Sequence, residues 1–167
     1  MAEQVLEHED VLTSEQDAQA AKIVNKYVLW SMGAGIIPIP LVDMAAVTGV
    51  QLKMIKEISE VYKTVQFSEV KAKSIITSLL GSIIPNSLSA GFLGSAFKLI
   101  PFVGWYAGSV SMSVFSGGAT YAIGKVFAQH FASGGTFLDF DTEAVRKYFQ
   151  EEFEKGKAKV KDMKAAK

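Results

Sequence analysis

The sequence predicts an all-α protein of about six helices, built as two proline-broken hydrophobic hairpins with amphipathic helices at either end. Three observations lead there. Apolar residues recur at helical spacing along most of the chain, and strand-like alternation is confined to one short stretch. Prolines and glycines fall between the periodic segments, at Pro38, Pro40, Pro85, Pro101 and Gly134–Gly135. Charge is segregated: the 167 residues hold 17 basic and 17 acidic side chains, yet Lys98 is the only charge from Ser74 to Gly124.

Ser14 and Asp17 have capping-box spacing, and Ala20, Ile23, Val24, Tyr27 and Val28 follow at helical intervals, so a first helix is predicted from near Ser14 to between Gly33 and Pro38. The preceding run, six acids from Met1 to Asp17 without a lysine or arginine, lacks the cationic start and apolar centre of a signal peptide. Residues 1–13 are expected to be a flexible acidic N-terminus. Pro40 suits the first turn of a second helix, with Asp43 inside that turn. Its later half sets Ile55, Ile58, Val61, Tyr62 and Val65 on one face and lysines and glutamates on the other. Ser68 caps a third helix running to Ile84, where Pro85 and Asn86 turn the chain.

A fourth, shorter helix is expected to end near Ile100, and a fifth to run from Pro101 to about Ala132, broken by Ser133, Gly134 and Gly135. Within it Ser109 to Phe115, SVSMSVF, alternates with the period of a strand. Having no partner between helical tracts, it is assigned to the helix. Gly104 and Gly108, in G-x-x-x-G spacing, are candidate helix-packing residues. Asp141 is the expected N-cap of a sixth helix, with Phe140 and Val145 placed as a hydrophobic staple and Val145, Tyr148, Phe149 and Phe153 as its apolar face. One helical domain is thus expected over 14–157, followed by a basic tail over 158–167. Setting Pro40 against Pro101 also aligns IPLVDMAAVTG with IPFVGWYAGSV, a weak internal repeat of the two hairpins.

Three uncharged tracts lie between the polar ends: Tyr27–Val42, Ser74–Phe97 and Leu99–Gly124. A membrane span needs about 20 apolar residues, so the last two are long enough. Pro85 divides one, and serines and glycines dilute the other, so hairpins that enter or lie in a bilayer fit better than clean spans. The competing reading is a water-soluble bundle whose central helices are buried on all sides.

Little in the chain supports catalysis or nucleic-acid binding. A net charge of zero offers no basic field, and with no cysteine there is no thiol nucleophile or Cys-based zinc site. Gly118–Val126, GATYAIGKV, spaces its glycines one residue too far apart for a P-loop and puts Val126 where a hydroxyl would hold magnesium. Gly33–Pro38, GAGIIP, places proline where a dinucleotide fingerprint needs its third glycine. No cofactor or metal is expected. Asp43, alone in an uncharged stretch, reads either as a helix-start carboxylate favoured by the dipole or as part of an ion or proton path. His130 reads as a packed or hydrogen-bonded histidine rather than a metal ligand. Trp30, Trp105, Tyr106 and Tyr121 read as core aromatics or interfacial anchors, and the lysine-rich end as a solvated helix end or a contact to anionic lipid.

The stretch IVNKYVLWSMGAGIIPIPLVDMAAVTGVQLKMIKEISEVY resembles the opening of the bacterial domain-of-unknown-function 697 family, the YcjF-like proteins. The marks are an apolar turn with Gly35, Pro38 and Pro40, then Asp43, then a helix with Gln51, Met54, Ile55 and Tyr62. Ile100–Pro101, Gly104, Tyr121, Gly124, Phe131 to Gly134, Phe149 and Gly156 extend the likeness over about Ala20 to Lys157. The resemblance implies a helical, membrane-associated module often found beside a GTPase domain of the Era or dynamin-like kind. Two departures stand out: no GTPase domain is present, and Leu41 and Val42 replace a glycine-containing link.

The expectation is a non-enzymatic module, at a bacterial membrane with its polar termini in the cytoplasm. It would anchor to a lipid bilayer and recruit partners, a separate GTPase among them, or assemble into a homo-oligomer. The alternatives are a soluble helical bundle that binds lipid or oligomerises, and an ion- or proton-conducting protein using Asp43. The structural turn and candidate functional residues are Gly35, Pro38, Pro40, Asp43, Pro85 and Pro101, with Gly104 and Gly108 for helix packing.

Overall fold

The computed structural model describes residues 2–34, 40–63, 66–83 and 104–166, with side-chain surroundings for 14–33, 47–63, 66–83 and 113–166. Among the described residues there are five α-helices and no strand: α1 (Ala2–Ala34), α2 (Pro40–Tyr62), α3 (Glu69–Ile83), α4 (Gly104–Ala132) and α5 (Thr142–Ala165). The all-α expectation holds. The predicted short helix before Ile100 and the turns at Pro85 and Pro101 lie outside the described residues.

α1 starts at Ala2, twelve residues before the predicted start at Ser14. The residues ahead of Ser14 are mainly good helix formers, with neither glycine nor proline, so the Ser14–Asp17 pair sits inside a helix instead of capping one. At 33 residues α1 is roughly 50 Å long, and it stops within the predicted window just after Gly33. α2 begins on Pro40, whose missing N–H costs nothing in a first turn. It ends at Tyr62, and Lys63 takes a left-handed φ of 54°. Ser68 opens α3: its carbonyl accepts from the Ala72 N–H at 2.9 Å.

α4 ends in a Schellman motif. Gly134 has φ 79°, its N–H reaches the Phe131 carbonyl at 2.9 Å, and the Gly135 N–H reaches the His130 carbonyl at 2.9 Å. Asp141 then caps α5 as predicted, its carboxylate accepting from the Glu143 and Ala144 N–H groups at 2.9 and 3.1 Å. α5 does not stop at a tail. It runs beyond residue 158 to Ala165, with Val160 fully buried and the Lys159 ammonium donating to Asn25 Oδ1 at 2.7 Å.

Cross-helix partners fix the topology. Gln16 and Asp17 meet Val61 and Tyr62, and Lys26 and Tyr27 meet Glu57, so α1 and α2 are antiparallel. Gly124 faces Val24 and Gly117 faces Met32, which makes α4 antiparallel to α1. Gly118 faces Gly156 while Gly117 faces Val160, so α5 reverses again. Ser78 meets Thr142 and Ser82 meets Gln150, setting α3 parallel to α5. One end of the bundle therefore gathers the last turn of α1, the first turns of α2 and α4, and the last turn of α5.

α4 is the central helix. From Ser113 to Gly124 all its residues are buried except Phe115 and Tyr121, which are half-buried. This corrects the expectation that the third uncharged tract enters the bilayer, as far as its described part goes: that part is surrounded by α1, α2 and α5. Small residues are the cause, because glycine and serine let three helices approach one axis, and an apolar helix enclosed by protein needs no solvated face. The amphipathic partners supply the rest of the core, with Val24, Tyr27 and Val28 from α1, Met54, Ile55 and Ile58 from α2, and Phe149 from α5.

Candidate functional site

Of the residues singled out in the sequence, Pro40 and Asp43 are the first and fourth residues of α2, and Gly104 and Gly108 the first and fifth of α4. Since α2 and α4 run parallel, both helix starts lie at the same end of the bundle. Gly35, Pro38, Pro85 and Pro101 lie outside the described residues, as do the surroundings of the Asp43 side chain. The close-packing glycines that are described are other ones. Gly118 stands against Gly156, Gly117 against side chains of α1 and α5, and Gly124 against side chains of α1 and α2.

Below that end a polar cluster joins three helices inside the apolar core. Ser31 Oγ of α1 and Thr120 Oγ1 of α4 are 2.7 Å apart, and Gln51 Nε2 of α2 donates to the same Thr120 oxygen at 3.2 Å. All three residues are 0% exposed. Ser113 Oγ donates to the Met32 carbonyl at 3.2 Å, extending the polar line up α4. Gln51 Oε1 has no hydrogen-bond partner among the described residues. Sequence reading marked Gln51 only as a point of resemblance and missed its partners; the available signal was three polar side chains within otherwise apolar helix faces.

Carboxylates tie the outer helices together. Glu57 accepts from the Tyr27 hydroxyl at 2.6 Å and from the Lys26 ammonium at 2.5 Å, and Asp17 accepts from the Tyr62 hydroxyl at 2.7 Å. Burial pushes the Glu57 carboxyl up, but the hydrogen bonds from Lys26 and Tyr27 outweigh it and hold the group below the usual carboxylate range. Tyr27 and Tyr62 are raised, first by burial and then by their carboxylate acceptors. On α5 the Glu152 side chain is only 4% exposed and pairs with Lys155 at 2.5 Å. Its charge adds to burial in raising Tyr121 and Tyr148.

His130 packs as expected. Its ring lies 4.6 Å from that of Phe140, and Nε2 donates to the Thr136 carbonyl at 2.8 Å, which places the proton on that nitrogen. Among the described residues no three His, Asp or Glu side chains come together as metal ligands. Two adjacent residues of α1 are exposed instead of buried: Leu29 and Trp30, each 54% accessible near the crowded end. Lys53 lies over the Trp30 ring at 5.8 Å.

Residues 2–158 match the family described as a domain of unknown function (DUF697). The chain belongs to that family. Membership spans nearly the whole bundle, including the acidic first half of α1 that lay outside the stretch of resemblance read from the double-proline turn. This DUF697 chain is 41% identical over 152 residues to magnetosome membrane protein 22 of Magnetospirillum gryphiswaldense, covering 91% of the chain and 77% of that relative. No solved structure matches it. No described helix of this DUF697 chain is long and apolar enough to cross a membrane.

Proposed function

We propose that this chain is a non-catalytic helical module that associates with a bacterial membrane without spanning it through its described helices. The observation that carries this reading is the 41% identity, over 91% of the chain, to a relative named as a magnetosome membrane protein. The structure limits how the association works. The described part of the apolar α4 is enclosed by protein, so contact with lipid falls to the end of the bundle that holds the last turn of α1 and the first turns of α2 and α4. Anchoring at that end, with the acidic start of α1 directed away, leaves the rest of the bundle free to meet a partner. A separate GTPase is the partner this reading favours, on the strength of the family's usual neighbour.

Self-association through Gly/Ser-rich faces is narrowed by the packing. Between Ser113 and Gly124 that face is already occupied by α1, α2 and α5 within the chain. Gly104 and Gly108 are the remaining candidates for contact between copies. Membrane fractionation with a carbonate wash tests the main reading. Retention of the full chain in the membrane pellet supports it, whereas release of a monodisperse monomer into plain buffer favours the soluble bundle that the buried α4 also suits.

A further inference from the structure

The charge segregation seen along the sequence becomes a segregation in space. α1 and α5 run parallel, so the lysine-rich last turns of α5 lie at the same end of the bundle as the last turns of α1, while the six acids of Met1–Asp17 sit in the opposite half of α1. From Lys155 to Ala165 the only acid on α5 is Asp162. Lys155, Lys157 and Lys159 are engaged by Glu152, Glu154 and Asn25. Lys161 and Lys164 have no carboxylate partner among the described residues. The same end carries the exposed pair Leu29 and Trp30, one turn before α1 stops, with Lys53 beside the indole. An exposed tryptophan with a lysine over its ring, at the same end of the bundle as further lysines, is the chemistry that settles at a headgroup layer.

We propose that this end of the bundle docks on an anionic lipid surface, with Leu29 and Trp30 entering the interfacial layer and Lys161 and Lys164 meeting lipid phosphates. The inference rests on the membrane reading and adds its lipid class and orientation. The acids at this end, Asp43 and Asp162, are outnumbered by Lys53, Lys159, Lys161 and Lys164, and the acids of Met1–Asp17 lie at the far end. Asp17, the nearest of them, is 17 residues from the end of α1, roughly 25 Å along the helix. That exceeds two screening lengths of about 8 Å at physiological salt. The far end also exposes Val70 and Leu138, but they are flanked by Glu69, Lys71 and Asp139, which gives an anionic surface no net attraction there.

The test is flotation of the full chain, synthesised without cells in the presence of vesicles of phosphatidylcholine alone or with phosphatidylglycerol. The expected result is recovery with the anionic vesicles that falls as salt rises. Lys161→Gln with Lys164→Gln should weaken it roughly thirtyfold, while Lys71→Gln with Lys147→Gln, the same charge change elsewhere, should leave it unchanged. In a Trp105→Phe background Trp30 is the remaining tryptophan, and its emission should shift to the blue on binding anionic vesicles. Equal recovery with both vesicle types, insensitive to salt, overturns the lipid assignment and leaves the membrane reading standing. Equal loss from both lysine pairs overturns the orientation. Recovery with neither vesicle type overturns both readings.

Discussion

Gly156 of α5 stands so close to Gly118 of α4 that a methyl group on Gly156 would lie 2.8 Å from the Gly118 carbonyl oxygen and 2.9 Å from Tyr121 Cβ. The obstacle is backbone, which cannot turn aside as a flexible side chain could. Gly156→Ala is therefore expected to destabilise by about 1–2 kcal/mol, an overpacking cost of about 1–3 kcal/mol less up to about 1 kcal/mol of helix propensity. Gly81→Ala in α3, where nothing lies within 4 Å, is expected to stabilise by about 0.5–1 kcal/mol. Urea unfolding followed by circular dichroism distinguishes the two. A loss at both positions would mean that helix packing at Gly118 is not the cause.

Local rules made much of the fold legible. Ile55 and Ile58 on α2, and Phe149 and Phe153 on α5, were marked by spacing and are buried. Asp141 and Gly134 act as caps because capping depends on a few adjacent residues. The start of α1 was misread because Ser14 and Asp17 look the same within a helix as at its cap. The fate of Ser113–Gly124 was not legible for a deeper reason: hydropathy reports that a segment avoids water, not whether lipid or protein replaces it. The Ser31–Gln51–Thr120 cluster depends on contacts across 89 and 69 positions, and no local pattern encodes those.

That cluster should respond asymmetrically to mutation. Thr120→Val removes the oxygen shared by Ser31 and Gln51, stranding two buried groups, and is expected to cost about 2 kcal/mol. Gln51→Met also removes a polar group but eliminates the partnerless Oε1 as well, so its effect should lie within about 1 kcal/mol of zero. The double variant should lose less than the sum of the two. Strict additivity in denaturant titrations would show that the three residues are not energetically linked.

The tyrosine–carboxylate pairs predict two pH limits. Tyr27 and Tyr62 have raised folded-state pKa values, so their contribution is complete below the unfolded tyrosine value of about 10 and is lost as pH rises above it. Glu57 is lowered, so its contribution is complete above the unfolded carboxylate value of about 4.3 and is lost as pH falls further. Tyr27→Phe is expected to cost about 1 kcal/mol at neutral pH, Glu57 being partly exposed, and to flatten the alkaline limb of stability against pH. An alkaline limb unchanged in the double Tyr27→Phe, Tyr62→Phe variant would contradict this assignment.

The end of α4 offers a reciprocal test. The His130 ring lies across the Gly135 backbone, where a Cβ would collide with the ring carbons and Nε2. Gly135→Ala must therefore displace the imidazole, breaking its bond to the Thr136 carbonyl and its contact with Phe140. The expected cost is about 1–2 kcal/mol. With His130→Ala already in place the collision is gone, and because Gly135 does not have a positive φ, the added methyl should then be nearly neutral. Gly134→Ala should behave differently, costing about 1 kcal/mol in either background because its penalty comes from the left-handed φ of 79° and not from a neighbour. A double-mutant cycle by thermal or urea unfolding separates the two causes: coupling for Gly135 with His130, and none for Gly134.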